Sequence, residues 1–276
     1  VIDDSRNIAS VGTVTATSFS GSGANLTDIA AAPFAPAWDP TDTPDQTFTS
    51  TGTFTKPGSV TADTWVVFYM VGGGASSQGG GSWRAGGSGG NAMIWAATGE
   101  YLPSSFTITV GAGGVPTSSS DNQTRAGGAT SITIGGNVIQ AKGGSVSGST
   151  DMAFNPTIGG ILLPYNGDGE FLLDPTNQTG QAPTQGGGAC ATPTSAPYRS
   201  TGSVYGGGGG GASWQDVTNA TIIAGGTSTY AGDGGNGASG QQAGGVPGGG
   251  AGGYYQPGNA AHVGAAGSCR VYYSNT

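Results

Sequence analysis

Glycine makes up 58 of the 276 residues and is concentrated in blocks. The longest block runs from Gly206 to Gly211, and others occupy 72–74, 86–90, 186–188 and 248–253. Glycine loses more backbone entropy on ordering than any other residue and has no side chain to bury. Such a chain is expected to be a linker unless its glycines allow close backbone packing. Because apolar, strand-like segments separate the blocks, we predict a folded domain with loops or a second layer of glycine backbone.

The charge balance excludes two classes of partner. Only 8% of the residues are charged, the net charge is −8, and Lys56 and Lys142 are the two lysines. No basic patch can follow a phosphate backbone, so nucleic-acid binding is not expected. The longest apolar run, 65–71, is of strand length, far below the roughly 20 residues that span a bilayer, so membrane insertion is not expected either. An acidic, polar, lysine-poor surface is typical of a protein that functions outside a cell.

Two cysteines, Cys190 and Cys269, have no neighbouring Cys or His at metal-ligand spacing, so no zinc site is predicted. They either form one disulfide, which would stabilise the fold by closing a long loop, or are two buried free thiols. The sequence leaves both alternatives open.

The first 46 residues divide into two segments. Residues 1–30 interleave apolar residues with Asn, Gly and Thr, a pattern typical of short β-segments. One copy cannot bury both of its faces, so a trimeric β-shaft is predicted. Residues 31–46 hold four prolines and form a predicted extended connector, whose Phe34 and Trp38 are expected to dock on a neighbouring element. Because Val1 lies within the pattern, the chain is expected to be a fragment or a processed product.

The remaining residues, 47–276, are predicted to form one all-β domain. Its strand segments are bounded by glycine, and none of them has a helical period. Residues 151–185 interrupt the domain with a more apolar, glycine-poor insert. The predicted strands are 47–49, 53–55, 64–71, 92–97, 106–110, 131–134, 138–141, 221–224 and 269–273.

Two resemblances cover nearly the whole chain. SRNI at 5–8, VGTV at 11–14 and FSGSGANLT at 19–27 resemble the repeat that precedes the tip in tail fibres of marine bacteriophages. The rest resembles the glycine-rich terminal domain of phage tail fibres and adhesins. The motifs of that domain here are GTFTKPG at 52–58, VVFYMVGGG at 66–74, TITVGAGG at 107–114 and GAAGSCRVYY at 264–273.

This resemblance implies a physical use for the glycines. In some adhesins of this type the glycine tracts form polyglycine-II helices packed side by side, with variable loops at one end that contact the bacterial surface. Only glycine lets such helices approach closely enough to hydrogen-bond through their backbones. Because the blocks here are irregular and the 151–185 insert has none, two alternatives stay open. They are a full polyglycine sandwich and a β-sandwich with partial polyglycine-II packing after the shaft.

Catalytic and metal-binding motifs are weak. Gly86 to Gly90 matches the Gly-x-Ser-x-Gly pattern around Ser88, but no strand-to-helix turn surrounds it, and His262 is the only histidine. Asn166 to Glu170, with Asp174, resembles half of a calcium loop and is interpreted as a solvated turn. The sequence places no pair of carboxylates across a cleft, as glycan cleavage would need. We therefore predict a non-enzymatic protein without a cofactor or a metal site.

Aromatic residues within glycine-rich segments are the candidate receptor contacts. Exposed Tyr and Trp offer rigid contact area and stack on sugar rings or protein loops. The alternative is that they fill gaps in the core or at a subunit interface. The candidates are Trp83, Arg84, Tyr198, Arg199, Tyr205, Trp214, Tyr254 and Tyr255.

These observations predict a virion protein, the distal tail-fibre adhesin that binds a glycan or an outer-membrane protein of the host surface. The expected assembly is a homotrimer joined to other fibre proteins, in which many weak contacts add by avidity. The alternative is a purely structural role as a capsid-attached fibre, a decoration protein or a self-assembling extracellular filament. A polysaccharide depolymerase is a third reading.

Overall fold

Twelve strands, numbered β1 to β12 in chain order, and no helix make up the regular structure of the described residues. The strands are Gln46–Phe48, Gly52–Thr55, Trp65–Val71, Trp83–Arg84, Ala92–Thr98, Ser105–Thr109, Thr130–Ile134, Asn137–Ala141, Ile161–Leu163, Ser213–Asp216, Asn219–Ile222 and Ser268–Ser274. The computed structural model describes residues 38–77, 83–84, 86–116, 125–144, 161–163, 200, 202–210, 213–216, 219–222, 224–237, 243–253 and 262–274. The predicted all-β class is confirmed for these residues. The predicted shaft at 1–30 and the first part of the connector lie outside them.

The strands form three sheets in which every strand pair is antiparallel. A five-stranded sheet has the order β1-β12-β3-β5-β9, and a four-stranded sheet has the order β2-β6-β7-β8. A small third sheet has the order β11-β10-β4. β3 lies at the centre of the largest sheet because its seven residues, WVVFYMV, are apolar on both faces and become buried on both.

The main core lies between the five-stranded and four-stranded sheets. Alternate residues of β3, namely Val66, Phe68 and Met70, enter this core, as expected for a strand with a period of two. The Phe68 ring stacks on Trp95 of β5 at 5.3 Å and meets the edge of Phe54 of β2 at 5.5 Å. Each large side chain buried in this way stabilises the fold by about 1.5–3 kcal/mol. The sandwich is therefore held together by ordinary hydrophobic packing.

The other face of the five-stranded sheet carries a second, aromatic cluster. Val67, Tyr69 and Val71 of β3 point into it, and Trp38 packs against it from the connector. The Trp38 ring lies 6.0 Å from Tyr69 and 5.7 Å from Tyr272, both edge to face. The predicted docking of Trp38 is confirmed, whereas Phe34 lies outside the described residues.

A tight hairpin joins β7 to β8. Gly135 and Gly136 form its two-residue loop with φ of 57° and 83°. A type I′ turn requires positive φ at both central positions, which favours glycine at each. This turn fixes the register that pairs Ile132 with Ile139 in the core.

Most predicted strands match an observed one within one or two residues. The predicted strand at 221–224 is displaced by two residues from β11, which begins at Asn219, where its register with β10 starts, and ends at Ile222. Three short strands, β4, β9 and β10, were not predicted. β9, at Ile161–Leu163, lies in the predicted insert and pairs with β5 as an edge strand.

Cys269 lies on β12, completely buried in the main core, and has no disulfide partner among the described residues. Burial raises the pKa of this thiol, because the thiolate would lose its hydration. Cys190 lies outside the described residues, so a bond between the two cysteines stays a prediction.

Candidate functional site

Glycine-rich segments extend from one end of the sandwich. Segment 72–77 follows β3, while 86–91 precedes β5 and 262–267 precedes β12. Because Val71 pairs with both Ala92 and Ser268, all three segments leave the sandwich at the same end. We call the whole set the glycine array. It comprises residues 72–77, 86–91, 111–116, 125–129, 142–144, 206–210, 224–227, 231–237, 243–253 and 262–267.

Segment 72–77 shows how the array is bonded. Its successive N–H groups donate in turn to segments 86–91, 125–129 and 262–267, and then repeat that order. The six bonds, donor first, are Gly72–Asn91, Gly73–Gly128, Gly74–Ala265, Ala75–Ser88, Ser76–Arg125 and Ser77–His262, at 2.8 to 3.0 Å. A backbone that turns once in three residues, as polyglycine II does, points its N–H groups in three directions in this way.

The carbonyl groups of the same segment bond three further neighbours. Those of Gly73, Gly74 and Ala75 accept from Gly144, Gly114 and Ala251, respectively. Segment 72–77 therefore has six hydrogen-bonded neighbours, three by donation and three by acceptance. The predicted partial polyglycine-II packing is present in the described residues, beside the predicted β-sandwich.

Close contact between segments explains why these positions are glycine. A Cβ atom built on Gly89 would lie 1.9 Å from the Gly207 oxygen, and one on Gly250 would lie 1.9 Å from the Gly87 oxygen. Real Cβ atoms do not approach carbonyl oxygens this closely. Any side chain at these positions would push apart the backbones that the hydrogen bonds join.

Inner and outer segments of the array differ in sequence. The inner segments 72–77, 86–91, 206–210 and 248–253 are buried at every residue and consist almost wholly of Gly, Ala and Ser. Three outer stretches, 111–116, 231–237 and 243–247, expose every third residue and carry a side chain larger than that of glycine there. Such pairs are Ala112 and Val115, Asp233 and Asn236, and Ala243 and Val246. The glycine blocks thus look irregular because they combine two sequence patterns. Enclosed helices have small residues throughout, whereas helices at the surface have a larger residue at every third position.

The distal end of the array, the end away from the sandwich, carries three of the eight predicted contact residues. β4 lies in the connection between the distal ends of segments 72–77 and 86–91, and β10 follows the distal end of segment 206–210. β4 and β10 pair, with Trp83 opposite Trp214 and Arg84 opposite Ser213. Residues that are 131 positions apart in sequence therefore become direct backbone neighbours. We call the three-stranded sheet β11-β10-β4 the distal sheet.

The other predicted contact residues are not brought to this sheet in the described part of the chain. Tyr205 is half-buried in the second cluster, with its ring 6.2 Å from Tyr69 and stacked on Tyr230 at 5.2 Å. Its carbonyl also accepts a hydrogen bond from the Tyr69 hydroxyl. Tyr205 therefore has a packing role. Four candidates lie outside the described residues: Tyr198, Arg199, Tyr254 and Tyr255.

Two serines of segment 72–77, which were not predicted from the sequence, accept hydrogen bonds through their side chains. The Ser76 hydroxyl oxygen accepts the Arg125 N–H at 2.7 Å, and the Ser77 hydroxyl oxygen accepts the His262 N–H at 2.9 Å. These bonds add to the backbone bonds that join this segment to segments 125–129 and 262–267. His262 is buried at the distal end of the array, and burial lowers its imidazole pKa below the usual value. No group of three or more potential metal ligands occurs among the residues that the structure describes.

Comparison with known proteins places the chain in a family. The family model described as a glycine-rich domain matches residues 47–274, so the chain belongs to the glycine-rich domain family. No curated protein matches it. Within the described ranges, no helix has the length and apolar character to cross a membrane.

Proposed function

We propose that this member of the glycine-rich domain family is the distal adhesin of a bacteriophage tail fibre, and that it binds the surface of the host cell. The distal sheet is its contact region. The protein acts by binding without turnover, in a virion, as a homotrimer attached to other fibre proteins. Its receptor is a surface glycan or an outer-membrane protein.

One observation carries the proposal: strands that follow the distal ends of two separate array segments pair there and form one sheet. Trp83, Arg84 and Trp214 are placed there together by strand pairing, although they come from separate parts of the sequence. A surface built from several connections on a rigid support is the usual arrangement of binding loops. The resemblance of the 52–58, 66–74, 107–114 and 264–273 motifs to phage adhesins supports the same reading.

The residue types of this region suit recognition of sugars or of protein loops. Tryptophan contributes large, rigid contact area at a low entropy cost, and Arg forms forked hydrogen bonds with carboxylates and phosphates. Single contacts of this kind are weak. Three copies on one fibre, and several fibres on one virion, raise the overall binding strength through avidity if they can reach the surface at the same time.

The test is binding of the fluorescently labelled chain to a panel of bacterial strains and to an array of bacterial surface glycans. Trp83→Ala, Arg84→Ala and Trp214→Ala are compared with the wild type on every surface that binds it. If one of these residues is a binding hot spot, its loss should weaken the apparent affinity roughly 30-fold, as expected for about 2 kcal/mol.

Tyr101→Ala is the matched control. Tyr101 is 60% exposed and follows the end of β5 that is opposite the array. The Tyr101→Ala substitution should leave the apparent affinity unchanged. If all four variants bind as tightly as the wild type, the distal sheet is not the contact region. Failure of the wild type to bind any surface, together with its growth into open-ended polymers, would favour the filament alternative instead.

A further inference from the structure

The chain enters the folded unit through a short segment, residues 38–48, that we call the clasp. The compact unit begins at Ala35, three residues before Trp38. Trp38 packs where the sandwich meets the array, with its ring 5.7 Å from Tyr272 of β12 and 6.4 Å from Tyr205, the residue before array segment 206–210. One side chain of the clasp therefore contacts both the sandwich and the array.

Polar contacts fasten the rest of the clasp. The Asp39 carboxylate accepts the Thr41 N–H at 2.8 Å and the Thr41 hydroxyl at 2.7 Å, which holds the turn after Trp38. The Asp45 N–H donates to the Val271 carbonyl at 2.9 Å, and its carboxylate accepts the Tyr273 N–H at 2.7 Å. The Gln46 amide donates to the Tyr273 hydroxyl at 2.6 Å. These polar contacts to β12 are made at Val271 and Tyr273.

The clasp adds one edge strand to the five-stranded sheet, and Phe48 of that strand also packs against the main core. β1 has three residues, lies at the edge of the five-stranded sheet and has β12 as its sheet partner. The ladder of β12, β3 and β5 has a register of its own and does not depend on β1. Elements with short ladders and exposed hydrogen bonds open at lower free energy than the core does.

We propose that the clasp is a separable mechanical joint. It opens as a unit before the sandwich unfolds, and Trp38 sets the load at which it does so. Tension on the preceding residues reaches Trp38 first, then the Asp39 and Asp45 contacts, and then β1. The proposal does not depend on what the distal sheet binds.

Hydrogen exchange followed by mass spectrometry tests whether the clasp opens separately. In the full chain, Trp38→Ala should accelerate exchange in peptides covering residues 38–48 by about 10- to 100-fold. Peptides covering β3 and β5 should exchange as in the wild type, and Tyr101→Ala should change neither region. Unchanged exchange in 38–48, or equal acceleration throughout β3 and β5, would overturn the proposal.

Force spectroscopy tests the load. One handle is attached to the N-terminus and the other at Val138→Cys on β8, in a Cys190→Ser background. Val138 is exposed, whereas Cys269 is fully buried and will not react. Release of the eleven clasp residues should give an early extension of at most roughly 4 nm, before the main unfolding event. Trp38→Ala should lower the force of this step alone. A single unfolding event that Trp38→Ala does not alter would refute the joint.

Discussion

The sandwich and the glycine array are stabilised by opposite kinds of packing. The sandwich removes large side chains from water and packs them between two sheets, whereas the inner array has almost no side chains and is joined through its peptide groups. Richness in glycine therefore does not by itself mean flexibility. A backbone without side chains can be enclosed on all sides if each N–H and C=O finds a partner.

The two regions also differ in the free energy that folding costs them. Each ordered glycine costs roughly 0.5–1 kcal/mol more than alanine would, because the unfolded chain is freer. A backbone hydrogen bond contributes a net gain of about 1 kcal/mol. The array is therefore stable only if its bonds form together, and it is attached to a sandwich that fixes where its segments begin.

The largest expected effect lies in the sandwich. Trp95 is fully buried and stacks on Phe68. Trp95→Ala should lower the free energy of unfolding by about 3–5 kcal/mol, because it removes the contacts of the indole and leaves a cavity. Urea titration followed by circular dichroism measures this loss. A loss below about 1 kcal/mol would mean that the main core is not packed as described.

A methyl group added to the array should have the next largest effect. Gly250→Ala places a Cβ against the Gly87 carbonyl, so we expect a loss of about 1–3 kcal/mol or failure to fold. Gly58→Ala is the matched control, since a Cβ there meets no atom within 4 Å. It should be neutral or slightly stabilising, because alanine restricts the unfolded chain. Equal effects of the two substitutions in thermal unfolding would mean that the array is not close-packed.

A smaller effect is expected from pH at the distal end of the array. Because burial lowers the pKa of His262 in the folded state, the unfolded chain binds the proton more readily. The stability associated with neutral His262 is thus complete above its ordinary pKa of about 6.5 and falls as the pH decreases below that value. His262→Asn should reduce the difference between the melting temperatures at pH 7.5 and pH 5. An unchanged difference would contradict burial of the imidazole.

The smallest effect is expected on the outer face of the array. Val115 is 62% exposed, at the every-third position of its segment. Val115→Ala should change the free energy of unfolding by no more than about 0.5 kcal/mol, as is usual for surface substitutions. Chemical denaturation measures this change against Gly250→Ala. A loss comparable to that of Gly250→Ala would mean that the outer segments are enclosed as the inner ones are.

The strands of the sandwich could be placed from the sequence, whereas the segments of the array could not. Alternating or continuous apolar runs bounded by glycine identify β3, β5 and β7, because burial of side chains leaves a pattern. The composition predicted loops or a second layer of glycine backbone, and the resemblance predicted polyglycine-II packing, but the irregular glycine blocks did not locate the segments. The spacing of Ala112 from Val115, and of Ala243 from Val246, is a period of three that could have identified the outer segments.

The candidate site was predictable by residue type but not by position. Trp83 and Trp214 were selected as aromatic residues among glycines, yet their pairing depends on strands of two and four residues. Strands this short have no detectable period. Packing was one of the two alternatives for Tyr205, but its partners Tyr69 and Tyr230 could not be identified, because they are distant in sequence.

The most direct test of the central claim is residue-resolved amide hydrogen exchange across 72–77 by NMR spectroscopy. Each of these six N–H groups donates to another segment of the array. All six N–H groups should be protected to an extent comparable with the buried amides of β3. Exchange at the rate of an open loop, or protection of alternate amides as in an edge strand, would contradict a polyglycine-II array.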